Sequence, residues 1–407
     1  MSPSARSVVS PLSRWFVVAM LSAVACSGGA NGAGQGTGGD TSASGGAAGS
    51  FLNGGRVGTG GAVSGGGGTA TGGAGMPASC MAPSTIGQPI GWASVTGKGQ
   101  TGTTGGGTAT PVTVTTAADL NSNAGGTAAK VIYVMGSLTG DFIIGSNKTI
   151  VGLCGAVLHG HVSISGSVNV IMSNLKIVGY AVGNCALDPK FDATVGCSSG
   201  ADAISVLDGA HHIWFDHCDV SDGTDGNLDI TLASDFVTVS WTKFHYSPRT
   251  DAVGSDSTGG SGHRYSNLVG GGDNLSGDMN ALNVTWHHNW WAENVVERQP
   301  RVRYGKNHLF NNVWSSTGDN YCVRAGMDAQ ILVESSYFSK VKNPQEFNNA
   351  ADQGTAFITA TNNVYDATTG TKATGGGGTA FAAPTYAYTL DDPTTLLAMV
   401  QSGAGPK

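Results

Sequence analysis

A repeat of short apolar runs constrains the fold of this chain more than any other feature. Seven runs rich in Val, Ile, Phe and Trp carry a small polar residue or Cys at a matching position: Asn174, Cys218, Thr242, Asn289, Asn312, Ser336 and Asn363. Successive positions are 44, 24, 47, 23, 24 and 27 residues apart, so the unit is about 23 to 24 residues. A period in this range is typical of a solenoid, and strand-rich units favour a parallel β-helix, with a β-sandwich as the alternative.

Asparagine at one position of each turn has a physical role in such a solenoid. Its side chain can form hydrogen bonds from one turn to the next, and it tolerates a left-handed backbone. Two of the gaps are near double the unit, and residues 179–201 and 246–281 within them are rich in Gly, Asp and Ser. We expect both segments to be long loops on one side of the solenoid, where functional residues are commonly carried.

The N-terminal residues 1–25 have the pattern of a signal peptide. Arg6 and Arg14 precede the apolar stretch 15–25, which is too short to span a bilayer. Small residues before Cys26 resemble the lipobox of bacterial lipoproteins. We expect export with a lipid on Cys26, and an ordinary secretory signal is the alternative.

A glycine-rich segment follows, and its composition separates it from the solenoid. Of the 49 residues 27–75, 22 are Gly, so the segment cannot bury enough apolar area to become ordered. Residues 26–79 are therefore predicted to be a flexible linker, lipid-anchored at its start. Residues 80–407 are predicted to be one β-helix domain.

Charge and cysteine usage exclude several classes of protein. The net charge is −7 and no long basic run occurs, so a nucleic-acid partner is not expected. Apart from the lipid, no membrane attachment is expected. Six cysteines follow Cys26, and of these Cys185 and Cys197, which flank a short loop, are predicted to form a disulfide.

Three arginines within six positions indicate an anion-binding site. Arg298, Arg301 and Arg303 stand together in a chain that is only 12% charged. A planar guanidinium matches the fork of a carboxylate, so we expect these residues to hold an anionic substrate. Surface arginines paired with nearby glutamates are the alternative. Pro300 can provide the bend that would turn Arg298 and Arg303 toward one cleft.

Three acids indicate a cation site, and turn or capping roles for Asp225 and Asp229 are the alternative. Asp225 and Asp229 are four residues apart, so both would lie on one face of a strand. Asp202 begins another strand, and if the two strands belong to adjacent turns, the three carboxylates converge. Crowded carboxylate oxygens suit Ca²⁺, which accepts loose geometry.

Taken in order, these motifs resemble those of the pectate lyase family, which consists of extracellular polysaccharide lyases. The resemblance covers residues 85–407 nearly throughout and rests on WxDH at 214–217, DxxxDI at 225–230 and RxPRxR at 298–303. It implies an all-β, right-handed parallel β-helix. It also implies that Asp202, Asp225 and Asp229 bind calcium, that Arg298 is the base, and that Arg303 binds the substrate carboxylate.

The resemblance further implies a cation in the loop after the DxxxDI turn. Either of two residues could fill this substrate-binding position, Arg249 or Arg264. The implied reaction is calcium-assisted β-elimination of polygalacturonate by a monomeric enzyme outside the cell. A calcium-independent pectin lyase and a non-catalytic pectin-binding protein are the alternatives. A polygalacturonase is disfavoured because its NTD and GHG motifs do not occur.

Overall fold

The described part of the chain is a solenoid of parallel strands. The structure, a computed structural model, describes Cys80 and residues 86–249, 262–275 and 277–407. All of these belong to one compact unit, Gly72–Lys407. Every ladder between its named strands is parallel, and equivalent strands of successive turns stack on one another. The fold is the predicted right-handed parallel β-helix.

The strands form three stacked sheets. The first contains β1 (Val112–Val114), parts of β2 (Lys130–Ile143) and β3 (Lys148–Ser165), β4 (Val168–Ser173), β7 (His211–Asp216), β10 (Asp235–Ser240), β13 (Val284–His287), β16 (Lys306–Phe310), β19 (Gln330–Glu334) and β22 (Phe357–Thr361). The second contains β5 (Lys176–Val178), β8 (Asp219–Ser221), β11 (Lys243–His245), β14 (Trp290–Trp291), β17 (Val313–Trp314), β20 (Tyr337–Ser339) and β23 (Val364–Asp366).

The third sheet carries the residues that matter most below. It contains β6 (Ile204–Leu207), β9 (Leu228–Ile230), β12 (Leu268–Val269), β15 (Arg301–Val302), β18 (Val323–Ala325) and β21 (Gln345–Phe347). Helices are few: α1 (Ala117–Ala124), α2 (Ala350–Thr355) and α3 (Leu396–Gly403), with short 3₁₀ turns at Trp92–Ser94, Cys185–Leu187, Cys197–Ser199 and Asp278–Asn280.

Aromatic rings stack through the interior at one position of the second sheet. The centroids of Phe244 and Trp291 are 5.7 Å apart, and those of Trp291 and Trp314 are 4.8 Å apart. Phe338 and Tyr365 continue the stack at 4.2 and 5.3 Å. Each turn therefore buries its apolar side chains against its two neighbours, which is how an elongated domain of this length keeps one core.

The expected ladder of polar side chains is present on the interior side of a corner. Thr242 N donates to Asn289 Oδ1 at 3.0 Å, and Asn289 N donates to Asn312 Oδ1 at 2.8 Å. The ladder continues from Asn312 N to Ser336 Oγ at 3.1 Å and from Ser336 N to Asn363 Oδ1 at 2.9 Å. These bonds satisfy backbone donors that the corner removes from the sheets.

One position of the predicted repeat is wrong by a residue. Ser173 pairs with Asp216, so Leu175 and not Asn174 lies opposite Cys218. Asn174 lies one position earlier in the same corner. Its φ of +58° is left-handed, as is φ at the equivalent residues His217 and Trp241. Asparagine suits both adjacent positions, and the sequence pattern alone could not separate them.

The two near-double gaps are single turns that carry long loops, as expected. β4 pairs directly with β7, and β10 pairs directly with β13. The loop in 179–201 is closed by the predicted Cys185–Cys197 disulfide. The segment 246–281 is not entirely loop, because β12 within it extends the third sheet.

Two cysteines form a second disulfide, Cys80–Cys154, and Cys218 and Cys322 are buried free thiols. The predicted signal peptide, the lipid site at Cys26 and the whole predicted linker lie outside the described residues. Within the described ranges, no helix has the length and apolar character needed to cross a membrane.

The C-terminal residues return along the outside of the solenoid. Tyr386 packs on Trp92 near the N-terminal end of the described chain and shares a hydrogen bond of 2.7 Å with Thr285. Leu396 and Val400 of α3 pack against Val313 of β17. Beyond α3, Gly405 N donates to Trp241 O at 2.8 Å, and Asn174 Nδ2 donates to Lys407 O at 3.3 Å. One segment thereby joins turns that are far apart in sequence.

Candidate active site

Three carboxylates converge where two neighbouring turns enter the third sheet. Asp202 lies just before β6, and Asp225 lies just before β9, which contains Asp229. Ser205 of β6 pairs with Asp229, so the two strands are adjacent. The ligand atoms of the three acids all lie within 4.8 Å of one another. The structure thus brings together the acids that the sequence pattern placed on adjacent turns.

The geometry of this acid cluster fits a bound calcium ion. Asp202 Oδ1 is buried and has no hydrogen-bond partner among the described residues. Gly226 leaves space beside it, since a Cβ there would lie 2.7 Å from Asp229 Oδ1 and 3.1 Å from Asp202 Oδ1. A buried, unsatisfied carboxylate oxygen in a set of hard oxygen donors suits Ca²⁺.

The charges of the cluster are strongly perturbed. Burial, reinforced by Asp229 and Asp225, raises the pKa of Asp202 well above its usual range. Burial also raises the pKa of Asp229 to about 7, although Arg298 opposes this effect. Asp225 differs because its hydrogen bond to His263 and the charge of Arg298 outweigh burial and lower its pKa. Crowded acids of this kind are stabilised by a cation.

Arg298 lies directly against the acid cluster. Its Nη1 is 3.6 Å from Asp225 Oδ1 and 4.0 Å from Asp229 Oδ2. The guanidinium also lies over the ring of Tyr265, 4.7 Å from its centroid. Burial lowers the pKa of Arg298, but the nearby carboxylates have the larger combined effect and raise it.

The backbone around Arg298 turns sharply. Arg298 has a left-handed φ of +58°, and the Gln299–Pro300 peptide bond is cis. Main-chain bonds fix this turn, because Asn267 N donates to Arg298 O and Arg301 N donates to Asn267 O. Sequence analysis expected a bend at Pro300 that would turn Arg298 and Arg303 toward one cleft. The chain turns here, but the described cavity beside Arg298 is lined by Arg301 and not by Arg303.

Arg303 is held in a defined orientation two residues after Arg301. Its Nε donates to Asp273 Oδ1 at 2.5 Å and its Nη1 donates to Gly270 O at 3.0 Å. Gly270 and Gly326 on the neighbouring turns make room for it, since a Cβ at either would lie 2.9 to 3.0 Å from the Arg303 side chain.

The two candidates for the further cation are placed differently. Arg249 Nη2 donates to Gly223 O at 2.8 Å, two residues before Asp225, and its guanidinium lies 5.1 Å from the Tyr246 ring centroid. Arg264 is half-buried, and its carbonyl accepts a hydrogen bond from Val296 N. The contact with Gly223 favours Arg249 as the cation beside the acid cluster.

A cavity of about 620 Å³ opens beside Arg298. Its lining includes four cationic side chains, Arg298, Arg301, Arg324 and Lys342, and one carboxylate, that of Glu297. Such a surplus of positive charge suits an anionic ligand.

Two residues of this site were missed by sequence analysis. His263 Nε2 donates to Asp225 Oδ1 at 2.9 Å, and Tyr265 supports the Arg298 guanidinium. Both residues are immediate neighbours of Arg264 in the chain. The feature of the sequence that could have identified them is their position in the long loop directly before β12.

The remaining histidines of the neighbouring turns are engaged in hydrogen bonds within the solenoid. His287 is buried and shares a hydrogen bond of 3.0 Å with His288, which in turn bonds Asp391 at 2.8 Å. His217 Nδ1 lies 2.7 Å from Asp216 Oδ2, whose carboxylate also accepts the Ser240 hydroxyl at 2.6 Å.

Comparison with known proteins shows the family and agrees with the fold. A family described as pectate lyase matches residues 58–406. Pectate lyase plyB of Emericella nidulans is 36% identical over 261 residues, covering 61% of this chain and 68% of that protein. A pectate trisaccharide-lyase of Thermotoga maritima is 34% identical over 236 residues, covering 56% of this chain and 57% of that protein.

Solved structures share the architecture. A pectate lyase from Bacillus sp. N165, in complex with trigalacturonate, superposes with a TM-score of 0.59 at 23% identity, covering 78% of this chain and 98% of that one. Fold and site together define an enzyme of the parallel β-helix class in which an acid cluster lies against an arginine. The chain belongs to the pectate lyase family.

Proposed function

We propose that this enzyme cleaves the (1→4)-α-D-galacturonan chain of pectate by calcium-assisted β-elimination, leaving a 4,5-unsaturated sugar at the new end. One observation carries the proposal: Asp202, Asp225 and Asp229 converge beside Arg298 in a chain of the pectate lyase family. In this reaction the C5 proton passes to a base. The C–H electron pair forms the C4–C5 double bond, and the oxygen on C4 leaves with the pair of the broken bond.

Asp202, Asp225 and Asp229 would hold the calcium ion, which when bound offsets negative charge on the acids and on the substrate carboxylate. Arg298 takes the C5 proton and must be neutral to do so. The acids beside it raise its pKa, so the neutral form is scarce while their charge is unopposed. An alkaline optimum follows from this requirement.

Arg303 binds the carboxylate of the sugar that loses its proton. Asp273 and Gly270 O engage Nε and Nη1 and so fix the plane of the guanidinium. Nη2 makes no hydrogen bond to another described residue that would compete with substrate. Arg249 adds positive charge at the turn that carries Asp225, and Arg264 is the alternative for this role.

The test is the ultraviolet absorbance of unsaturated product from polygalacturonate. We expect chelation to abolish the absorbance increase and added Ca²⁺ to restore it. Asp229→Ala should keep the circular dichroism of the folded protein but need more calcium. Full activity in excess chelator, with a preference for methylated substrate, would instead identify a pectin lyase. Binding without product would identify a non-catalytic pectin-binding protein.

We also propose that the enzyme acts outside the cell as a monomer, with residues 1–25 removed and a lipid on Cys26. The linker 26–79 would then hold the domain 80–407 off the membrane surface. Support comes from the sequence pattern of the first 79 residues. Mass spectrometry of the mature N-terminus tests the lipid, since an unmodified or absent Cys26 would contradict it.

A further inference from the structure

The cavity beside Arg298 extends over turns that the proposed reaction does not use. Along the third sheet, Arg301 of β15 pairs in register with Arg324 of β18, which pairs with Glu346 of β21. Neighbouring parallel strands are about 4.8 Å apart, so the two arginines lie side by side on successive turns. The acid cluster lies at the opposite end of this row, on β6 and β9. The row of arginines therefore continues the cleft toward the C-terminal turns.

The side chains in this part of the cavity are arranged for an anion. Arg301 Nε is buried and has no hydrogen-bond partner among the described residues, while its Nη2 donates to Asn348 Oδ1 at 3.2 Å. A buried, unsatisfied guanidinium donor is costly unless a ligand accepts from it. The single carboxylate of the lining, Glu297, already accepts from Asn320 Nδ2 at 2.9 Å.

Arg324 and Lys342 are the other two cationic side chains in this part of the cavity lining. Arg324 Nε donates to Glu346 Oε1 at 2.6 Å, and its guanidinium lies 3.4 Å from the centroid of the Tyr321 ring. These two contacts fix its orientation. Lys342 is exposed, and within the described part of the chain no carboxylate lies within ion-pair distance of its ammonium group. A fixed guanidinium beside an exposed ammonium is suited to a carboxylate that arrives from solvent.

We propose that Arg301, Arg324 and Lys342 form a further carboxylate-binding subsite, separate from Arg298 and Arg303. It would hold the uronate carboxylate of a sugar that lies beyond the cleavage position, toward the C-terminal turns. This inference rests on the proposed function, because a polygalacturonate chain supplies a carboxylate on every sugar. The subsite would make cleavage of longer chains more efficient than cleavage of short ones.

The test compares Lys342→Gln with Lys340→Gln, an exposed lysine two residues away that does not line the cavity. Kinetics are measured on oligogalacturonates from trimer to hexamer. We expect Lys342→Gln to lower kcat/KM about fivefold on the longer substrates, mainly through KM, and to leave the trimer unaffected. Lys342→Arg should restore the wild-type value. Lys340→Gln should match the wild type at every length.

Equal kinetics for Lys342→Gln and wild type, or an equal loss at every length, would overturn the subsite. Binding separates this failure from failure of the proposed function. Calorimetry with hexagalacturonate in excess chelator needs no turnover. If the wild type forms no unsaturated product but binds the hexamer several-fold more tightly than Lys342→Gln, the subsite stands and the lyase reaction does not. Equal affinities would contradict the subsite whether or not the enzyme turns over.

Discussion

At the scale of single residues, Arg298 shows what the local surroundings add to a motif. The spacing of its motif predicted three arginines near one anionic ligand, and the cavity contains Arg298 and Arg301. Sequence could not show that Arg298 rests on Tyr265 and faces Asp225, because those contacts join segments more than thirty residues apart. The contact of Asp273 with Arg303, which joins residues 30 positions apart, could not be read from the sequence either.

Lysine substitutions distinguish the roles of the two arginines. If Arg298 takes the C5 proton, Arg298→Lys should lose most of kcat with little change in KM, because its role is confined to the transition state. Arg303→Lys should raise KM as well as lower kcat, since Arg303 meets the carboxylate before and during reaction. Steady-state kinetics on polygalacturonate measures both effects.

Circular dichroism provides the folding control, and both variants should fold normally. Near-normal kinetics for both would instead support ordinary surface arginines. If Arg298→Lys kept more than about a tenth of the wild-type kcat, a loss of only about 1.4 kcal/mol, another group would be the base.

Asp319 predicts a pH dependence of stability that is independent of catalysis. Burial raises the pKa of this carboxyl to about 6, although Lys342 N donates to it at 2.9 Å. The unfolded value is about 3.9, so the folded protein binds this proton more tightly. Asp319 therefore contributes to the free energy of unfolding at low pH. This contribution, roughly 2 to 3 kcal/mol, is lost as the pH rises from about 4 through about 6.

Asp319→Asn removes that loss while it keeps an oxygen for Lys342 N. We expect the variant to become more stable than the wild type as pH increases over this window, measured as urea midpoints between pH 4 and pH 8. Asp366→Asn, at an exposed acid, should show no such trend. A constant difference between Asp319→Asn and wild type across the range would refute the assignment.

At the scale of elements, the polar ladder connects the turns. Asn312 is fully buried: its Oδ1 accepts from Asn289 N at 2.8 Å and its Nδ2 donates to Trp286 O at 2.8 Å. Asn312→Ala would leave both backbone groups unsatisfied, so we expect a loss of about 2 to 4 kcal/mol in unfolding free energy. Chemical denaturation measures it.

Asn362→Ala is the matched control, since Asn362 is exposed and bonds only the Ser335 hydroxyl, at 2.7 Å, through its side chain. It should cost about 1 kcal/mol, chiefly through its left-handed backbone. Equal losses for the two variants would show that the ladder contributes little.

The elements also show where sequence reasoning succeeds and where it stops. The period and the asparagines at one position predicted the solenoid, because each turn must satisfy the same backbone groups at the same corner. The long loops were recognised because they interrupt that period. The position of Asn174 and the strand β12 were not, because a corner has two adjacent positions that accept asparagine and a two-residue strand has no periodicity.

At the scale of the whole molecule, the family match begins at residue 58, earlier than the predicted domain start at 80. The glycine-rich segment before 80 has no strand pattern and no acidic or aromatic cluster. We therefore expect removal of residues 27–79 to leave kcat/KM on polygalacturonate within a few-fold of the intact protein. A larger loss in a folded, soluble protein would show that this segment contributes to the site.

The returning C-terminal segment has a consequence for how the chain folds during synthesis. Asn174 and Lys407 are 233 positions apart, yet their side-chain and main-chain groups are hydrogen-bonded. The ribosome makes the turn that contains Asn174 long before it makes its partner. Early turns can stack as they emerge, but the side covered by residues 380–407 stays uncovered until translation has passed that segment. The nascent chain therefore keeps this side of the solenoid uncovered for most of its synthesis.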